Sequence, residues 1–354
     1  MTSLRLPSRL ALVALALSAG LAGTSCSKSG PAASTGGAVT PAGKKIVIGL
    51  SLDTLQEERW QHDRDIFVAA AEKLGATVVV QAANSNNTVQ VQDIKTLITR
   101  GVDVLVVVPF DGNGLSTAVK DANDAKIPLI AYDRLILGTN IDYYLTFDNV
   151  KVGEEQAKYL VAHLPEGRKA KIVRIYGYKG DHNATLFKEG QDHILDPLIK
   201  SGKIEVVHED WADGWKPAEA VKIMNAAITK AGRDIDAVLA SNDGTAGGAI
   251  TALEQEKLAG KVLVTGQDAE LAACQRIMQG TQAMTIYKPL KTLATHAAEV
   301  AVAVAQGKPP VVTATIDNGF KKVPFIFENV ITVDKANMMA TVVADGFQKA
   351  ADLK

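Results

Sequence analysis

The chain has 354 residues, 47% of them hydrophobic, with a formal net charge of -1 and two cysteines. The part beyond residue 44 is long enough for two domains of ordinary size, each with its own apolar core. The near-neutral charge and the lack of a basic stretch after the amino-terminal segment argue against nucleic acid or an anionic membrane surface as a partner. Cys274 is the one cysteine besides Cys26, so we expect stability to come from the core rather than from a disulfide.

The amino terminus has the pattern of a secretory signal. Two arginines precede an apolar run from Leu10 to Ala22, which is too short to span a bilayer comfortably, and small residues follow it. Cys26 comes directly after them, so residues 1–26 are predicted to be a signal peptide with a lipoprotein-like site at which Cys26 is lipidated. The alternative is ordinary signal cleavage nearby with an incidental cysteine. Residues 27–43 are small or polar and predict a flexible tether.

Strand-like and helix-like segments alternate after the tether with a period of roughly thirty residues, as in strand-helix-strand units. The strands lack in-out alternation of apolar and polar residues, which is typical of a parallel sheet covered on both faces. The predicted elements of the first half are strand Ile46 to Leu50, helix Arg59 to Leu74, strand Thr77 to Gln81, helix Val89 to Arg100, strand Val104 to Pro109, helix Leu115 to Ala125, and strands Leu129 to Tyr132 and Tyr143 to Phe147.

A second series begins with a predicted helix from Val152 to His163. Its strands, separated by helices, are predicted at Lys171 to Tyr176, Ile204 to His208, Ala237 to Ala240, Val262 to Thr265 and Ala283 to Tyr287. Helix Leu290 to Gln306 follows, and then extended segments that are too short for a domain of their own. Because these segments must pack back on the two halves, we expect several crossings between the halves and a hinge.

The predicted fold is therefore α/β, with two doubly wound parallel-sheet lobes joined by a multi-strand hinge. The amino-terminal lobe is predicted to comprise residues 44–148 and 286–312. The carboxy-terminal lobe is predicted to comprise residues 149–285 and 313–354.

Eight apolar runs in the chain each end on a short polar cluster. In open parallel sheets, ligands bind just beyond the carboxyl ends of the strands, so this pattern predicts one crevice lined from many directions. The polar groups are amides, carboxylates and guanidinium groups rather than a nucleophile with its base. That set of groups is typical of a protein that binds a small, polar and neutral molecule.

Several of these clusters match motifs of a known family. The segments are EERWQHDRDIF (57–67), RGVDVLVVVPF (100–110), AYDR (131–134), FDNVKVGEEQA (147–157), DGWKPAEA (213–220), SNDGTAGGAI (241–250), GQDAEL (266–271) and YKP (287–289). From the end of the tether onward the chain resembles the ribose/galactose-type family of periplasmic sugar-binding proteins of bacterial ABC importers, and its xylose-binding branch in particular.

The resemblance implies a type I periplasmic binding protein that works as a monomer in the periplasm. It would capture D-xylose or a closely related aldopentose between two lobes and deliver it to the membrane permease subunits of an ABC importer. No catalytic residue, cofactor or metal is needed for this function.

A pyranose offers neighbouring hydroxyls, each both donor and acceptor, on a ring with an apolar C–H face. Planar polar groups can bind two hydroxyls at once, and an aromatic ring can cover the face. The resemblance implies eight sugar-contacting positions: Arg59, Asp133, Arg134, Asn183, Trp215, Asn242, Asp268 and Lys288. Trp60 and Asp181 are predicted as further neighbours of the sugar.

Structural roles are open for some of these residues. Asp133 and Arg134 could pair with each other at a domain surface, Asn242 could cap the helix that begins near Thr245, and Trp215 could be a core residue. Trp60 could equally pack the first helix.

Other classes of protein compete with a binding protein. Doubly wound sheets often carry enzymes, yet the sequence lacks the usual dinucleotide, P-loop, nucleophile-elbow and zinc-protease motifs. Asp133 and Asp268 could still form a glycosidase pair. The remaining alternatives are a component of a sugar-sensing receptor on the same fold, or a transcription factor, which would need a basic helix-turn-helix where this chain has an export signal.

Overall fold

The computed structural model describes residues 45–308 and 310–354. The predictions for the signal peptide, for lipidation of Cys26 and for the tether lie outside these residues. Within the described ranges, no helix has the length and apolar character needed to cross a membrane.

Strands and helices alternate along most of the described chain. The strands are β1 (Val47–Leu52), β2 (Thr77–Ala82), β3 (Val104–Val107), β4 (Leu129–Tyr132), β5 (Tyr143–Phe147), β6 (Ala170–Tyr176), β7 (Ile204–Trp211), β8 (Ala237–Ala240), β9 (Leu263–Val264), β10 (Met284–Tyr287), β11 (Thr315–Asp317), β12 (Lys322–Glu328) and β13 (Ile331–Asp334). The α-helices are α1 (Glu58–Lys73), α2 (Asn87–Thr99), α3 (Ser116–Asp124), α4 (Asn149–Ala162), α5 (His182–Lys200), α6 (Pro217–Ala231), α7 (Asp243–Gln255), α8 (Leu271–Gln279) and α9 (Leu290–Ala305). The predicted alternation is confirmed in both halves.

The first lobe is built on a sheet in the order β11-β12-β5-β4-β3-β1-β2. All neighbouring strands are parallel except β11, which pairs antiparallel with β12 at the edge. One face carries an apolar layer with α1 and α9, and the other an apolar layer with α2 and α3. Because both faces are buried, the central strands β3 and β4 are apolar throughout, as the sequence pattern predicts, whereas the strands β11 and β12 at one edge carry charged residues.

The second lobe contains the parallel sheet β7-β6-β8-β9. A single bridge between Gln267 and Ile286 joins β10 to this sheet, and β13 pairs antiparallel with β10. Helices α6 and α7 cover one face and α4 and α5 the other. Because helices cover the faces of both sheets, they leave the carboxyl ends of the strands uncovered, and these ends can face the other lobe.

The chain crosses between the lobes three times: from β5 to α4, from β10 to α9 and from β12 to β13. The predicted assignment of residues 313–354 to the second lobe is wrong for β11 and β12, because β12 pairs with β5 in the first sheet. The predicted boundary at residue 286 also falls inside β10, which pairs over its whole length with β13. An extended segment after a long helix can join either sheet, and its sequence does not specify which edge it will pair with.

A buried glutamine in each lobe ties a helix to the strand ends. Gln90 of α2 donates to the carbonyl of Val108 at 2.7 Å and accepts from the amide of Phe110 at 2.8 Å. Gln156 of α4 donates from Nε2 to the carbonyls of Ser241 and Gly266, both at 3.1 Å. These carbonyls belong to loops that follow strands, so each glutamine holds the loops at the face where the lobes meet.

We predict that Gln156→Leu destabilises the second lobe. The substitution keeps the approximate volume but leaves buried polar groups, including the Nε2 of Gln191 that donates to Gln156 at 3.1 Å, with fewer partners. The free energy of unfolding should fall by about 1 to 3 kcal/mol, measured by denaturant or thermal unfolding. Gln92→Leu, on the exposed side of α2, is the matched control and should have little effect. Equal stability of Gln156→Leu and the parent would contradict this role.

Candidate functional site

One cavity between the lobes is lined by every residue that the sequence analysis singled out for binding. The ten are Arg59, Trp60, Asp133, Arg134, Asp181, Asn183, Trp215, Asn242, Asp268 and Lys288. All of them are at most 6% exposed. The cavity holds about 320 Å³ of empty space, a figure that includes open solvent at its mouth, and most of the residues that line it are polar. It therefore suits a single small polar molecule.

Arg59 lies at the centre of the first-lobe side of the cavity. Its Nη2 donates to Asp133 Oδ2 at 2.8 Å and to Asp63 Oδ2 at 3.2 Å, while Nη1 lies 3.5 Å from Asp268 Oδ1 in the second lobe. Burial opposes the charge, but the carboxylates of Asp133, Asp63 and Asp268 outweigh it and raise the pKa of Arg59. The guanidinium group is therefore a fixed cation shared by both lobes.

Arg134 forms the second bridge between the lobes. Its Nη1 donates to Asp53 Oδ2 at 2.7 Å within the first lobe, and its Nε lies 2.9 Å from Asp181 Oδ2 in the second. The suggestion that Asp133 and Arg134 pair with each other is wrong, because each pairs with another partner. Arg134 also lies over the ring of Trp60, with 5.1 Å between Cζ and the ring centroid.

Trp60 combines the two roles left open for it. It belongs to the core of the first lobe and also lines the cavity. The guanidinium carbon of Arg59 lies 4.0 Å from its ring centroid, so the ring supports the cation that faces the cavity.

Trp215 reaches the cavity from a short 3₁₀ turn, Asp213–Trp215, after β7. Its Nε1 donates to Asp181 Oδ2 at 3.2 Å, and its ring packs edge-on against Phe187. A Cβ atom on Gly177 would lie 2.0 Å from this ring, so a glycine is needed for the ring to lie against the backbone. Trp215 is thus a core residue whose ring also lines the cavity.

Asn183 and Asn242 approach from helix amino termini in the second lobe. Asn183 Nδ2 donates to the carbonyl of Asp133 at 3.0 Å, across the lobes. Asn242 caps α7, because its Oδ1 accepts from Thr245 N at 2.9 Å. The capping role proposed for Asn242 is therefore confirmed, and its Nδ2 is the group that it can offer to a ligand.

Three residues at the cavity have an unusual backbone. The φ angles are +60° for Asp133, +60° for Trp215 and +97° for Asp268. Residues other than glycine rarely adopt positive φ angles. Backbone strain of this kind is typical of binding sites whose conformation is held by the surrounding structure. The neighbouring packing must therefore stabilise each of these conformations.

The sequence analysis missed three cavity residues: Glu57, Phe187 and Gln267. Both Glu57 and Gln267 lie inside quoted motifs, two positions before Arg59 and directly before Asp268 respectively, and Phe187 is one helical turn after Asn183. Oxygen atoms of Glu57, Gln267 and Asp268 are buried without a hydrogen-bond partner among the described residues. Asp268 Oδ1 is nevertheless within ion-pair distance of Lys288 Nζ, at 3.3 Å. These oxygens can accept hydrogen bonds from a ligand.

Carboxylates of both lobes meet beside the cavity. Burial, with the nearby charge of Asp268, raises the pKa of Asp243 to about 7. Burial, together with the charges of Asp243 and Asp268, raises the pKa of Glu270 to about 9. Glu57 has a raised pKa as well, chiefly through burial. Within the described ranges, no group of three or more histidine, cysteine or acidic side chains is arranged to hold a metal ion.

Comparison with known proteins gives the family. The model of the periplasmic binding protein domain matches residues 48–309. The chain belongs to the periplasmic binding protein family. A D-xylose-binding periplasmic protein of Escherichia coli is 50% identical over 310 residues, which cover 88% of this chain and 93% of that protein. A D-xylose-binding periplasmic protein of Haemophilus influenzae is 48% identical over 304 residues, covering 86% and 91% respectively.

Solved structures confirm the predicted type I periplasmic binding protein fold. A carbohydrate transporter solute-binding protein from Chloroflexus aurantiacus, in complex with D-glucose, has a TM-score of 0.82 and 32% identity. The match covers 87% of this chain and 98% of that one. The sequence resemblance to the xylose-binding branch is likewise confirmed by the two D-xylose-binding relatives.

We predict that Glu270→Gln makes stability less dependent on pH. In the parent, the pKa of Glu270 rises from an ordinary value of 4.5 to about 9 on folding. Between these values the folded state keeps a proton that the unfolded state has lost, so parental stability falls as pH rises. The variant lacks this titration, and its stability relative to the parent should therefore increase from pH 5 to pH 8 in unfolding experiments. The exposed Glu254→Gln should follow the parent; a constant difference between Glu270→Gln and the parent would contradict the assignment.

Proposed function

We propose that the protein captures D-xylose, or a closely related aldopentose, in the cavity between its lobes and delivers it to an ABC importer. The observation that carries the proposal is the convergence of all ten predicted residues on one cavity. About half of the aligned residues are identical to those of two D-xylose-binding periplasmic proteins, which supports the choice of sugar.

The chemistry of the cavity suits a neutral sugar. Hydroxyl groups can donate to the oxygens of Glu57, Gln267 and Asp268 that lack a hydrogen-bond partner, and can accept from Arg59 and Lys288. Charged partners make hydrogen bonds stronger than neutral ones. An anionic ligand would instead add negative charge to a cavity in which several carboxylates are already buried.

Trp215 is proposed to cover the apolar face of the sugar ring. Its side chain lines the cavity and is held by Asp181 and Phe187. A ring fixed in this way can pack against C–H groups at little cost in side-chain entropy.

Binding is proposed to follow closure of the lobes. The first lobe contributes Arg59, Asp133 and Arg134, whereas Asn183 and Asp268 belong to the second, so only the closed form offers the complete set of contacts. A sugar with higher affinity for that form shifts the population towards it. The closed protein, acting as a monomer, would then present both lobes to the permease subunits of the importer, which open it again.

The geometry favours binding over glycoside hydrolysis. A glycosidase needs one carboxylic acid with a raised pKa. Burial alone would raise the pKa of Asp133, but the charges of Arg59, Lys288 and Arg134 outweigh it and lower the pKa. Arg59 also faces Asp268, so the same cation neutralises both candidate carboxylates. We therefore propose that the protein is not an enzyme.

We predict stoichiometric binding of D-xylose to the purified protein in a calorimetric titration against a panel of pentoses and hexoses. Tryptophan fluorescence should change on binding, because Trp215 lies at the cavity. Ribose, arabinose and glucose should bind much more weakly. Tighter binding of ribose or galactose would contradict the choice of xylose, and turnover of an aryl pentoside would contradict a purely binding role.

Asp268→Asn is the matched loss-of-binding variant for this titration. It keeps the shape of the side chain and suits the positive φ angle better than alanine would. Hydrogen bonds to charged groups contribute about 1.5 to 3 kcal/mol, so xylose affinity should fall at least about tenfold. Without sugar, its unfolding temperature should stay near that of the parent, and Asp210→Asn, at an exposed position, should retain affinity. A drop in stability with intact affinity would make Asp268 a structural residue.

We also propose that the protein works in the periplasm, anchored to the membrane by a lipid on Cys26. The proposal rests on the sequence of residues 1–26, and relatives named as periplasmic proteins support the compartment. A tether between the lipid and the binding domain would leave the cavity free to open and close.

Cys26→Ser should release the protein from the membrane fraction in a bacterial host that recognises the native signal. Sugar affinity should not change, because the substitution lies far along the chain from every cavity residue. Fractionation and processing identical to those of the parent would show that Cys26 is incidental.

A further inference from the structure

Two aromatic rings from opposite lobes stack on each other outside the cavity. Phe110 follows β3 in the first lobe, and Tyr178 follows β6 in the second. Their ring centroids are 4.8 Å apart and their planes differ by 15°. Neither residue is among those that line the cavity. This interlobe pair is therefore a contact between the lobes that needs no ligand.

A backbone hydrogen bond joins the same two loops. The amide of Gly112 donates to the carbonyl of Gly180 at 3.0 Å. A Cβ atom on Gly112 would lie 2.7 Å from the carbonyl oxygen of Leu135, which is closer than such atoms approach in proteins. The missing side chain thus lets this loop pack closely on the Leu135 loop of its own lobe, in the position from which the amide of Gly112 reaches Gly180.

Each ring is tied to a cavity residue: the loop of Tyr178 carries Asp181, and the carbonyl of Pro109, next to Phe110, accepts from Nη1 of Arg134 at 3.3 Å. The amide of Phe110 donates to the buried Gln90 at 2.8 Å. The carbonyl of Tyr178 accepts from the amide of Asp181 at 3.0 Å, and Asp181 pairs with Arg134 across the lobes. Formation of the interlobe pair is therefore linked to closure around the cavity.

We propose that Phe110 and Tyr178 act as a latch that stabilises the closed form and thereby determines how tightly and how long the sugar is held. The inference rests on the proposed function. Apparent affinity is the intrinsic affinity of the closed form multiplied by the fraction of ligand-free protein that is closed. A contact present only in the closed form increases this fraction and so raises the affinity without touching the ligand.

The first test is a double-mutant cycle of Phe110→Ala and Tyr178→Ala. An aromatic pair contributes enough that each single substitution should weaken xylose binding about two- to tenfold and speed dissociation by a similar factor. The double variant should bind xylose with nearly the same affinity as the single variant that binds it less tightly, because either substitution already removes the stack. Strictly additive effects, or parental affinity in both single variants, would overturn the proposal.

The second test separates a latch from a direct sugar contact. A latch acts on closure alone, so all sugars that bind the parent should lose affinity by the same factor in Tyr178→Ala. A changed ratio between the dissociation constants of xylose and a weaker sugar would instead make Tyr178 a ligand contact and overturn the proposal.

Two matched variants serve as controls. Tyr178→Phe keeps the ring and should retain parental affinity and dissociation rate, and a loss would overturn the role of stacking. Phe320→Ala removes a 61% exposed aromatic elsewhere in the first lobe and should behave like the parent. If the parent binds another sugar of the panel more tightly than xylose, the choice of xylose fails and the cycle is read with that sugar. If the parent binds xylose, but Phe110→Ala and Tyr178→Ala bind it with the parental affinity and dissociation rate, the latch is overturned while the proposed function stands.

Discussion

The buried guanidinium group of Arg59 is the interaction on which both sides of the cavity depend. Asp63 and Asp133 pair with it inside the first lobe, and Asp268 faces it at 3.5 Å from the second. A buried cation is tolerated only when it is paired and hydrogen-bonded. Two of its carboxylates belong to its own lobe, so Arg59 is held from within the first lobe, and Asp268 adds a contact from the second. The first lobe therefore supplies a fixed cation on which a carboxylate of the second lobe converges.

Most of the predicted cavity residues could be found from the sequence because they stand in polar clusters at the ends of apolar runs. Asp133 follows β4, Asp268 follows β9 and Lys288 follows β10, and the carboxyl ends of parallel strands gather at one edge of a sheet. Family motifs identified the particular residues. Phe187 escaped prediction because it lies inside a helix, where an aromatic on the buried face resembles any core residue. That the ten residues contact a sugar stays a prediction.

The fold was predictable in its alternation of strands and helices but not in its last pairings. Hydrophobic runs identify a strand, yet they do not say which sheet a terminal strand joins, and β12 in fact returns to β5 in the first sheet. The roles of the two buried glutamines were not predicted from the sequence either. Gln90 and Gln156 look like ordinary helical surface residues in the sequence, and only the structure places them under the strand ends that carry Phe110 and Asn242.

The seam between the lobes is a balance of opposing contributions. Closure brings Glu57 of the first lobe towards Asp268 and Glu270 of the second, and the raised pKa values of Glu57 and Glu270 reflect burial together with this crowding of negative charge. This crowding opposes closure only as far as the carboxyl groups are ionised, and Glu270 keeps its proton near neutral pH, whereas Arg59 and Arg134 favour closure across the same seam. Hydroxyl donors of a sugar, which satisfy acceptor oxygens without adding charge, are suited to tip such a balance towards the closed form.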